Sequence, residues 1–590
     1  MQYSKQIKKK KISFVALFIA IILLVTACSS VQETVSDISG SANVVGVTED
    51  FHLRDKEPLY TQYDPTEIVT MYLTVSSGNE GENTDHTWEE INTYSVYDYD
   101  SMGVDRYKVE GLLQIGDENG ISAGELGYNQ NSPNYTVQIR GQTSSKHAQK
   151  NYKIKIKDNK GDWRGQTTIA LNKHSYEGLR IRNKLVYDLI AGIDQIMGLR
   201  TTFVHLYVKD TTASGGGGFK DYGLYTQVEQ LNKTALRAHG LDRNGHLYKI
   251  NYFEFYRYAD TVKLTTDPSY DAKAFEELLE IKGSDDHSKL IRMLDRVNDY
   301  SIPIDTILKE NFDIENLSYW MGLQILLGNI DTQSRNFYIY SPLNTEKWYI
   351  IPWDNDAALR RTEYDLKGTS ANGGWELGIS NYWGNVLFQR CLKSENFRKE
   401  LDDAIEDLRK YLTKDKVISL AKRYTKVVKP FVYKMPDQMY APLSSSQYDF
   451  VTENLYNEIE RNYNDYKESY KKPLPFYIGV PVKTAENKLT VEWDASFDFN
   501  SETISYSFEV ARNFNFSNPI FKTEGCKLPT ATFDMLPQGQ YFIRVIATNE
   551  SGYSQYAFDY YYTETGKIYG TKCFYVDKDG KIIEDVYTDG

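Results

Sequence analysis

Segments in which apolar and polar residues alternate dominate the first part of the chain. The alternation starts at 68–75 and, with the turn residues that follow, predicts a β-rich N-terminal segment over 51–133. A helix is predicted at 183–197, where Leu185, Leu189 and Ile193 recur at four-residue spacing. Strands are predicted on both sides of this helix, at 135–139, 152–156, 203–208 and 223–228.

Apolar residues recur at helical spacing from about residue 271 to about residue 470, for example over 397–412 and 417–428. Two short strands are predicted within 336–353. A strand-rich lobe therefore precedes a helix-rich lobe, and together they predict an α+β, two-lobed domain over 134–470. Pro473-Leu474-Pro475 then predicts a linker.

Short strands separated by turn residues are predicted beyond the linker, at 489–493, 505–510 and 539–547. The pattern resembles a fibronectin type III domain, which is a β-sandwich, and the resemblance places Trp493 and Tyr541 in its core. It covers 475–564, and it implies a role in binding or spacing. The tail at 565–590 is too short to interpret.

The composition is that of a folded, multidomain protein. The chain has 590 residues, of which 41% are hydrophobic and 25% charged, values that are ordinary for globular proteins. Its formal net charge is −13, whereas nucleic-acid binding needs a basic surface to neutralise phosphates. The sequence therefore predicts no nucleic-acid partner.

The N-terminus has the order of a secretory signal peptide, predicted over 1–27. Lys8 to Lys11 precede an apolar run from Ile12 to Val25, and small residues lie before Cys28. A helix that crosses a bilayer needs about 20 apolar residues, so the shorter run favours a cleaved signal over a permanent anchor.

Val25-Thr26-Ala27-Cys28 resembles the bacterial lipobox, whose cysteine becomes the lipid-modified N-terminus. The resemblance implies a lipid anchor at Cys28 and an extracytoplasmic location on a bacterial membrane. The polar residues over 28–50 predict a disordered tether. The remaining cysteines predict no metal site or disulfide framework, and a Cys526–Cys573 disulfide stays open.

The glycine run at 215–218 lies between two predicted strands. It lacks the G-x-G-x-x-G spacing of a phosphate-binding loop. A flexible hairpin loop is the favoured interpretation.

The segments Asn329–Tyr340 and Trp348–Asp356 carry the clearest chemical pattern. In the first, Asp331 is followed five residues later by Asn336. A strand, a turn and a second strand then lead to Asp354. This order is that of phosphoryl-transfer sites, in which one loop supplies a base and magnesium ligands.

The two segments resemble the N-x-D-x-x-x-x-N-x-Y-x-Y and P-W-D-x-D motifs of the CotH kinase family, a group of spore-coat-type atypical protein kinases. The resemblance implies that ATP and Mg²⁺ are the cofactors and that Asp331 is the catalytic base. Asn336 and Asp354 would bind magnesium, and Asp356 would be a second-sphere or second-metal carboxylate.

Upstream segments match the same family in order and rough spacing. Arg140-Gly141-Gln142-Thr143-Ser144-Ser145 matches a family marker that precedes a basic strand, and it makes Arg140 a cofactor-binding candidate. Alternation places Lys153 and Lys155 on one strand face, and Lys155 is the predicted phosphate contact. Glu229 is predicted to pair with a phosphate-binding lysine, and Lys249 to touch phosphate or stabilise the site.

The leading functional hypothesis is an extracytoplasmic, membrane-anchored kinase that transfers the ATP γ-phosphoryl group to Ser or Thr of a surface or coat protein. The alternative is a non-catalytic cell-surface module that binds wall glycans or partner proteins. A third interpretation, a hydrolase with Asp354 and Asp356 as paired carboxylates, lacks any accompanying sugar-cleft signature.

Overall fold

The computed structural model describes residues 53, 56, 58–213, 217–368, 374–563 and 566–585. The predicted signal peptide, Cys28 and the predicted tether lie outside these residues, as do Gly215 and Gly216 of the glycine run. Among the described helices, none has the combination of length and apolar character that crossing a bilayer requires. The described part of the chain contains both helices and strands and is a mixed α+β protein.

The first strands in the described part of the chain are β1 (Ile68–Ser76), β2 (Val109–Asp117), β3 (Gly120–Ile121), β4 (Tyr135–Arg140), β5 (Asn151–Ile156), β6 (Thr168–Asn172), β7 (Thr201–Asp210) and β8 (Lys220–Glu229). They form an eight-stranded sheet in the order β1-β7-β8-β6-β5-β4-β2-β3. Because β1 also pairs with β2, the sheet closes on itself around an apolar core.

The closed sheet spans the domain boundary that the sequence predicts between residues 133 and 134. β1 pairs in parallel with β7, from Ile68 opposite Phe203 to Val75 opposite Asp210. The N-terminal segment is therefore part of the same sheet, and its assignment as a separate unit was wrong. Alternation predicts that a strand exists, but it does not reveal a partner more than a hundred residues away.

The helices of this part are α1 (Pro58–Thr61), α2 (Trp88–Thr93), α3 (Val96–Met102), α4 (Arg182–Ile190) and α5 (Lys233–Ala238). The helix predicted at 183–197 thus ends early. Ala191 caps α4 and Gly192, a poor helix former, follows in a turn. Ile193 and Met197 keep the apolar spacing because they are buried in the same core without being helical.

A second, four-stranded sheet has the order β10-β9-β11-β12. Its strands are β9 (His246–Ile250), β10 (Leu279–Ile281), β11 (Phe337–Ser341) and β12 (Tyr349–Pro352). The helices that pack around it are α6 (Ala272–Leu278), α7 (Ser288–Asn298), α8 (Ile304–Asn311), α9 (Ile314–Leu327), α10 (Arg361–Lys367), α11 (Val386–Lys393), α12 (Glu395–Tyr411), α13 (Lys414–Val432) and α14 (Ser445–Ser469).

We call residues 474–563 and 566–585 the C-terminal β-region. Its strands are β13 (Val482–Lys483), β14 (Lys488–Glu492), β15 (Ser505–Ala511), β16 (Phe521–Cys526), β17 (Thr530–Asp534), β18 (Gly539–Thr548), β19 (Ser554–Tyr556), β20 (Tyr560–Thr563), β21 (Gly566–Tyr569), β22 (Thr571–Val576) and β23 (Ile582–Glu584). One sheet has the order β13-β14-β17 and a second β16-β15-β18-β22-β23, while β20 and β21 form a hairpin.

Trp493 and Tyr541 are both buried in the core of the C-terminal β-region. The Tyr541 hydroxyl donates to the Pro537 carbonyl at 2.7 Å, a tyrosine-corner geometry that occurs in immunoglobulin-like sandwiches. β22 pairs with β18, so the predicted tail at 565–590 supplies strands of this region. Cys526 and Cys573 are free, because β15 and β18 separate their strands.

The C-terminal β-region packs directly against the helical part of the protein. The Trp383 ring lies 5.3 Å from that of Phe497, and the Trp375 ring lies 5.1 Å from that of Phe558. Trp375 Nε1 also donates to the Phe558 carbonyl at 3.1 Å. The segment 374–385, which carries both tryptophans, is therefore held between the helices and the C-terminal β-region.

Candidate functional site

Asp331 lies in a short turn at the end of a buried helix. α9 is apolar along most of its length and ends at Gly328, whose left-handed backbone (φ 60°) caps it without a side-chain clash. Asp331 follows in a 3-10 turn over Ile330–Thr332, and 39% of its side chain is exposed. A carboxylate in this position can reach a hydroxyl group that approaches from outside.

Arg335 holds the Asp331 carboxylate from one side. Its guanidinium donates to Asp331 Oδ1 and to the hydroxyl of Tyr252, and it lies 4.9 Å from the Tyr252 ring. Tyr252 has a φ of 45°, which is rare for an aromatic residue and typical of strained functional segments. Neither Arg335 nor Tyr252 was predicted from the sequence to have a role at the site.

The segment 374–385 anchors the turn that carries Asp331. The Thr332 and Tyr382 hydroxyls lie 2.9 Å apart, and Asn381 Nδ2 donates to the Ile330 carbonyl at 3.2 Å. Asn385 Nδ2 donates at 2.8 Å to the carbonyl of the residue that follows Thr332. These hydrogen bonds fix the backbone on both sides of Asp331.

Asn336 and Asp354 lie together at one end of the β11–β12 hairpin. The hairpin pairs Phe337 with Pro352, and Trp353 N donates to the Asn336 carbonyl at 3.1 Å. Both Asn336 (φ 61°) and Asp354 (φ 56°) have left-handed backbones. Asn and Asp tolerate this conformation better than most residues, and its strain often marks functional sites.

The Asp354 carboxylate lies in an environment that disfavours its charge. Burial, followed by the nearby Asp356 carboxylate, raises the pKa of Asp354 well above its usual value. The positive charges of Arg140, His174 and Lys249 offset this effect only in part. A bound cation would relieve the remaining cost.

Asp356 is engaged by two side chains from the loop after β6. His174 Nδ1 lies 3.1 Å from Asp356 Oδ2, and the Tyr176 hydroxyl also forms a hydrogen bond with this carboxylate. Burial alone would raise the pKa of Asp356, but these contacts lower it. Burial alone would lower the pKa of His174, but the hydrogen bond to Asp356 raises it. Asp356 is therefore an oriented anion next to Asp354.

Arg140 reaches the same place from the end of β4. Its guanidinium lies 5.6 Å from the Trp353 ring and donates to Asn172 Oδ1 at the end of β6. Its charge acts on Asp354, the residue after Trp353. The closed sheet thus contributes a cation beside the β11–β12 hairpin.

Several cations surround Glu280, and we call Arg106, Arg140, Lys153, Lys249 and Lys282 the basic cluster. Lys249 and Lys282 form ion pairs with Glu280 at 2.7 and 2.6 Å. Burial alone would raise the pKa of Glu280, but the two lysines hold it well below its usual range. Burial, followed by the Lys282 charge, lowers the pKa of Lys153, on which Arg106 and Arg140 also act.

Lys153, and not Lys155, joins the basic cluster. The two lysines share a face of β5 as the alternation predicts, but Lys153 is half-buried near Glu280 while Lys155 is exposed further along the strand. The phosphate contact of Lys155 therefore stays a prediction, and the structure places Lys153 rather than Lys155 in the basic cluster. Alternation fixes the face of a strand but not which of its residues lies closest to a neighbouring sheet.

Glu229 does not pair with a lysine of the site. It is fully buried at the end of β8, where it forms ion pairs with Arg200 at 2.5 Å and with His239 at 2.8 Å. These contacts join the start of β7 and the end of α5 to β8. The predicted pairing was therefore wrong, because Arg200 and His239 are closer in the fold and occupy both carboxylate oxygens. Glu280 is the acid that pairs with Lys249 instead.

Arg182 and Asn183, the first residues of α4, contact the chain around Asp354. Asn183 Oδ1 accepts from the backbone N of Asn355 at 3.1 Å. Arg182 donates to the Leu359 carbonyl at 2.8 Å and pairs with Glu363 at 2.9 Å. α4 therefore fixes the chain on the far side of Asp354.

The residues present fit a magnesium ion. Magnesium prefers hard oxygen ligands and is usually held by one or two protein groups together with water and phosphate. Asn336 and Asp354 provide such oxygens at one end of the hairpin, and the cost of the isolated Asp354 charge favours a cation there. The basic cluster beside them suits the phosphates of a nucleotide.

A family model described as CotH kinase protein matches residues 137–465, which is more than half of the chain. The chain therefore belongs to the CotH kinase family and is an atypical protein kinase by class. No curated protein matches the chain.

Two solved structures are similar to parts of the chain. A proinflammatory kinase of Helicobacter pylori, CtkA, has 10% sequence identity and a TM-score of 0.25, over 54% of this chain and 94% of that chain. HipA of Shewanella oneidensis, solved with HipB and its operator DNA, has 12% identity and a TM-score of 0.20, over 51% of this chain and 59% of that one. At these values neither structure defines the fold of this chain.

Proposed function

We propose that this chain is a magnesium-dependent kinase that transfers the γ-phosphoryl group of ATP to Ser or Thr hydroxyls of a surface or coat protein. The observation that carries the proposal is the meeting of Asn336 and Asp354 at one end of the β11–β12 hairpin, directly after the turn that bears Asp331. Kinases arrange their metal ligands and their base in the same way. Membership of the CotH kinase family supports this function.

Asp331 has the role of general base in this proposal. The acceptor oxygen attacks the γ-phosphorus and gives its proton to the Asp331 carboxylate, while the bond from the γ-phosphorus to the bridging oxygen breaks and ADP leaves with its electron pair. Magnesium, when held by Asn336 and Asp354, supplies neutralisation of the phosphate charge. Arg335 orients the base through its ion pair with Asp331.

The basic cluster has the role of binding the phosphates. Four of its five cations interact with Glu280, and the fifth, Arg140, acts on Asp354, as Lys249 also does. The cations outnumber these two carboxylates, so positive charge remains for a polyanionic ligand. Lys249 and Lys282 are held in place by Glu280, and Arg140 is held by Asn172. Pre-positioned cations of this kind act by electrostatic stabilisation without reorganising during the reaction.

The location of the enzyme is also part of the proposal. The basic N-terminus, the apolar run and Cys28 support export and a lipid anchor on a bacterial membrane. The acceptor would then be a protein on the same surface. The buried Trp493 and the Tyr541 hydrogen bond support a fibronectin type III-like sandwich in the C-terminal β-region.

The proposal is tested with protein lacking residues 1–28, by measuring magnesium-dependent ATP binding and phosphate incorporation. Asp331→Asn should bind ATP with an unchanged Kd and lose about 10²- to 10⁴-fold in transfer rate, since only the base is removed. Asp354→Asn should lose the magnesium dependence of ATP binding. Asp403→Asn, which changes an exposed aspartate on α12, should match the wild type.

Two outcomes would contradict this function. Full transfer by Asp331→Asn would remove the role of that residue as base. A folded wild type that binds no nucleotide, with magnesium or with manganese, would favour the non-catalytic module for wall glycans or partner proteins.

A further inference from the structure

A cavity of about 350 Å³ lies between the helical part of the protein and the C-terminal β-region. One wall is formed by Asn329 and Ile330, which lead into the turn that carries Asp331. Tyr364 on α10 and Arg461 on α14 form a second wall, and Tyr562 and Lys567 on the β20–β21 hairpin form a third. A cavity of this size admits a short segment of chain but no folded domain.

The cavity borders the two residues that lead into the turn that carries Asp331. Asn329 and Ile330 directly precede Asp331 in the chain. Burial raises the pKa of Tyr364, although the Arg360 charge opposes this, and Asp331 adds a small effect in the same direction as burial. Tyr364 therefore lies within electrostatic reach of Asp331. Among the described residues that line the cavity, neither Asn336 nor Asp354 is present. The cavity thus lies next to the turn that carries Asp331 and does not include the predicted magnesium ligands.

Direct contacts hold the β20–β21 hairpin as a wall of the cavity. Lys567 forms an ion pair with Glu376 at 2.7 Å, and the Tyr569 hydroxyl donates to the other oxygen of Glu376 at 2.6 Å. Burial alone would lower the pKa of Lys567, but the Glu376 charge raises it. Burial, followed by the Glu376 charge, raises the pKa of Tyr569, and Glu376 is itself buried. The β20–β21 hairpin is therefore fixed to Glu376 and forms a stable wall of the cavity.

The lining is polar, aromatic and nearly balanced in charge. Four cations, Arg360, Arg361, Arg461 and Lys567, face three carboxylates, Asp365, Glu376 and Asp465. Arg461 pairs with Asp365 at 2.7 Å, and both side chains are more than two-fifths exposed. An exposed pair of this kind is weak, so Arg461 can exchange Asp365 for a carboxylate of an incoming molecule.

We propose that this cavity is the acceptor site of the enzyme and that it binds an extended peptide segment. The Ser or Thr hydroxyl of the segment reaches Asp331 past Asn329 and Ile330, and an acidic side chain near that residue pairs with Arg461. The C-terminal β-region supplies one wall through Tyr562 and Lys567. This inference rests on the proposed function and gives it a substrate class: a hydroxyl-bearing peptide with an acidic neighbour.

The test compares a serine peptide that has an acidic neighbour with the same peptide carrying a neutral neighbour. In the wild type the acidic peptide should have the lower KM. Arg461→Ala should raise that KM about tenfold or more, the effect of one charge-assisted hydrogen bond, and abolish the difference between the peptides. Tyr562→Ala should raise both values. The KM for ATP and the rate of ATP hydrolysis without peptide should not change.

Lys467→Ala is the matched control. Lys467 lies on the same helix as Arg461, pairs with the exposed Asp402 and does not line the cavity. This variant should keep the wild-type KM for both peptides. Arg461→Glu adds a second readout, since it should reverse the preference towards a peptide with a basic neighbour.

The same measurements separate an error in the acceptor site from an error in the proposed kinase function. An enzyme that hydrolyses ATP but whose KM values for peptide survive Arg461→Ala and Tyr562→Ala would overturn the acceptor site alone. A protein that turns over no ATP is tested by direct peptide binding. Binding of the acidic peptide that Arg461→Ala weakens would keep the cavity and remove the kinase, whereas no binding, or binding of wall glycan in its place, would overturn both.

Discussion

Several residues at the site have left-handed backbones, and two of them, Asn336 and Asp354, are of the types that tolerate this conformation best. Asn336, Asp354 and His174 all have positive φ values, and Tyr252 joins them beside Arg335. Each such residue costs on the order of 1–3 kcal/mol and persists only where the surroundings enforce it. Asn and Asp lower this cost, and their side chains carry the oxygen atoms that the proposed magnesium ion needs. The residue types of the motif are therefore required for conformation as well as for chemistry.

Lys153 and Lys155 offer a comparison between two like residues on one strand face. Because Lys153 lies in the basic cluster, Lys153→Ala should raise the KM for ATP by roughly 10-fold or more, as loss of a hydrogen bond to a charged group does. Lys155→Ala should leave it within about twofold, since Lys155 is exposed outside the cluster. Steady-state kinetics at saturating acceptor measures both values.

Equal effects of the two substitutions would contradict this assignment of Lys153. Thermal unfolding of both variants is the control, because Lys153 is half-buried and its loss must not be confused with unfolding.

The two lysines also show what the sequence can predict at the scale of a residue. The motif spacing predicted Asp331, Asn336 and Asp354 as site residues, and the β11–β12 hairpin places the last two at its same end. Arg335 lay inside the motif but had no distinguishing pattern. His174 and Glu280 are contributed by a loop and a short strand far along the chain, and no local spacing connects them to the site.

Glu229 shows how one buried carboxylate joins elements. It ties β8 to His239, which caps α5, and to Arg200, which precedes β7. Burial alone would raise the pKa of Glu229, but the His239 and Arg200 charges outweigh it and lower the pKa to about 2. The charged form of Glu229 therefore stabilises the fold.

This low pKa predicts an acid-dependent component of stability. A lowered pKa contributes stability that is fully present above the unfolded value of about 4.3 and is lost as the pH falls towards the folded value. Glu229→Gln should lower the free energy of unfolding by about 3–5 kcal/mol at pH 7, since it leaves buried cations unpaired. The difference from the wild type should shrink as the pH falls from about 4.5 towards 2.

Urea unfolding at several pH values measures this difference. Glu468→Gln, which changes an exposed pair with Lys471, should behave like the wild type at every pH. A Glu229→Gln deficit that stays constant from pH 7 to pH 2 would show that the charge of Glu229 does not contribute.

Individual strands and helices were predicted well where the apolar pattern is local, whereas the pairing of strands far apart in the chain was not predicted. The strands at β4, β5, β7 and β8 and the helices α12 and α13 follow from periodicity. The parallel pairing of β1 with β7 could not follow from it, because residues 68 and 203 are joined only by the fold. The same limit hid β22, a strand that lies in the predicted tail.

In the whole molecule, the segment 374–385 contacts both the C-terminal β-region and the turn that carries Asp331. The sequence predicted a linker at Pro473-Leu474-Pro475, but Leu474 is completely buried and the chain continues into a docked region. That region packs on Trp375 and Trp383 of the segment 374–385. The same segment holds the turn around Asp331 through Asn381 and its neighbours. The packing of the C-terminal β-region on this segment therefore supports the turn that carries Asp331.

Weakening the docked surface should thus affect catalysis at a distance. Trp383 is buried and contacts Phe497 and Phe499, with Lys393 over its ring at 5.2 Å. Trp383→Ala should cost about 3–5 kcal/mol of packing energy at this surface. We expect faster proteolysis near residue 473, faster hydrogen exchange over 329–333 and a lower kcat with little change in the KM for ATP, because the basic cluster lies elsewhere.

Phe514→Ala is the matched control, since Phe514 is partly exposed on the C-terminal β-region and packs against Phe542 and Tyr561 of that same region. It should leave kcat and the exchange of 329–333 unchanged. If Trp383→Ala increased proteolysis near residue 473 but left kcat intact, the two regions would be docked without being coupled. A fall in kcat that accompanies faster exchange at Asp331 would instead establish that the catalytic turn is positioned from the far side of the segment 374–385.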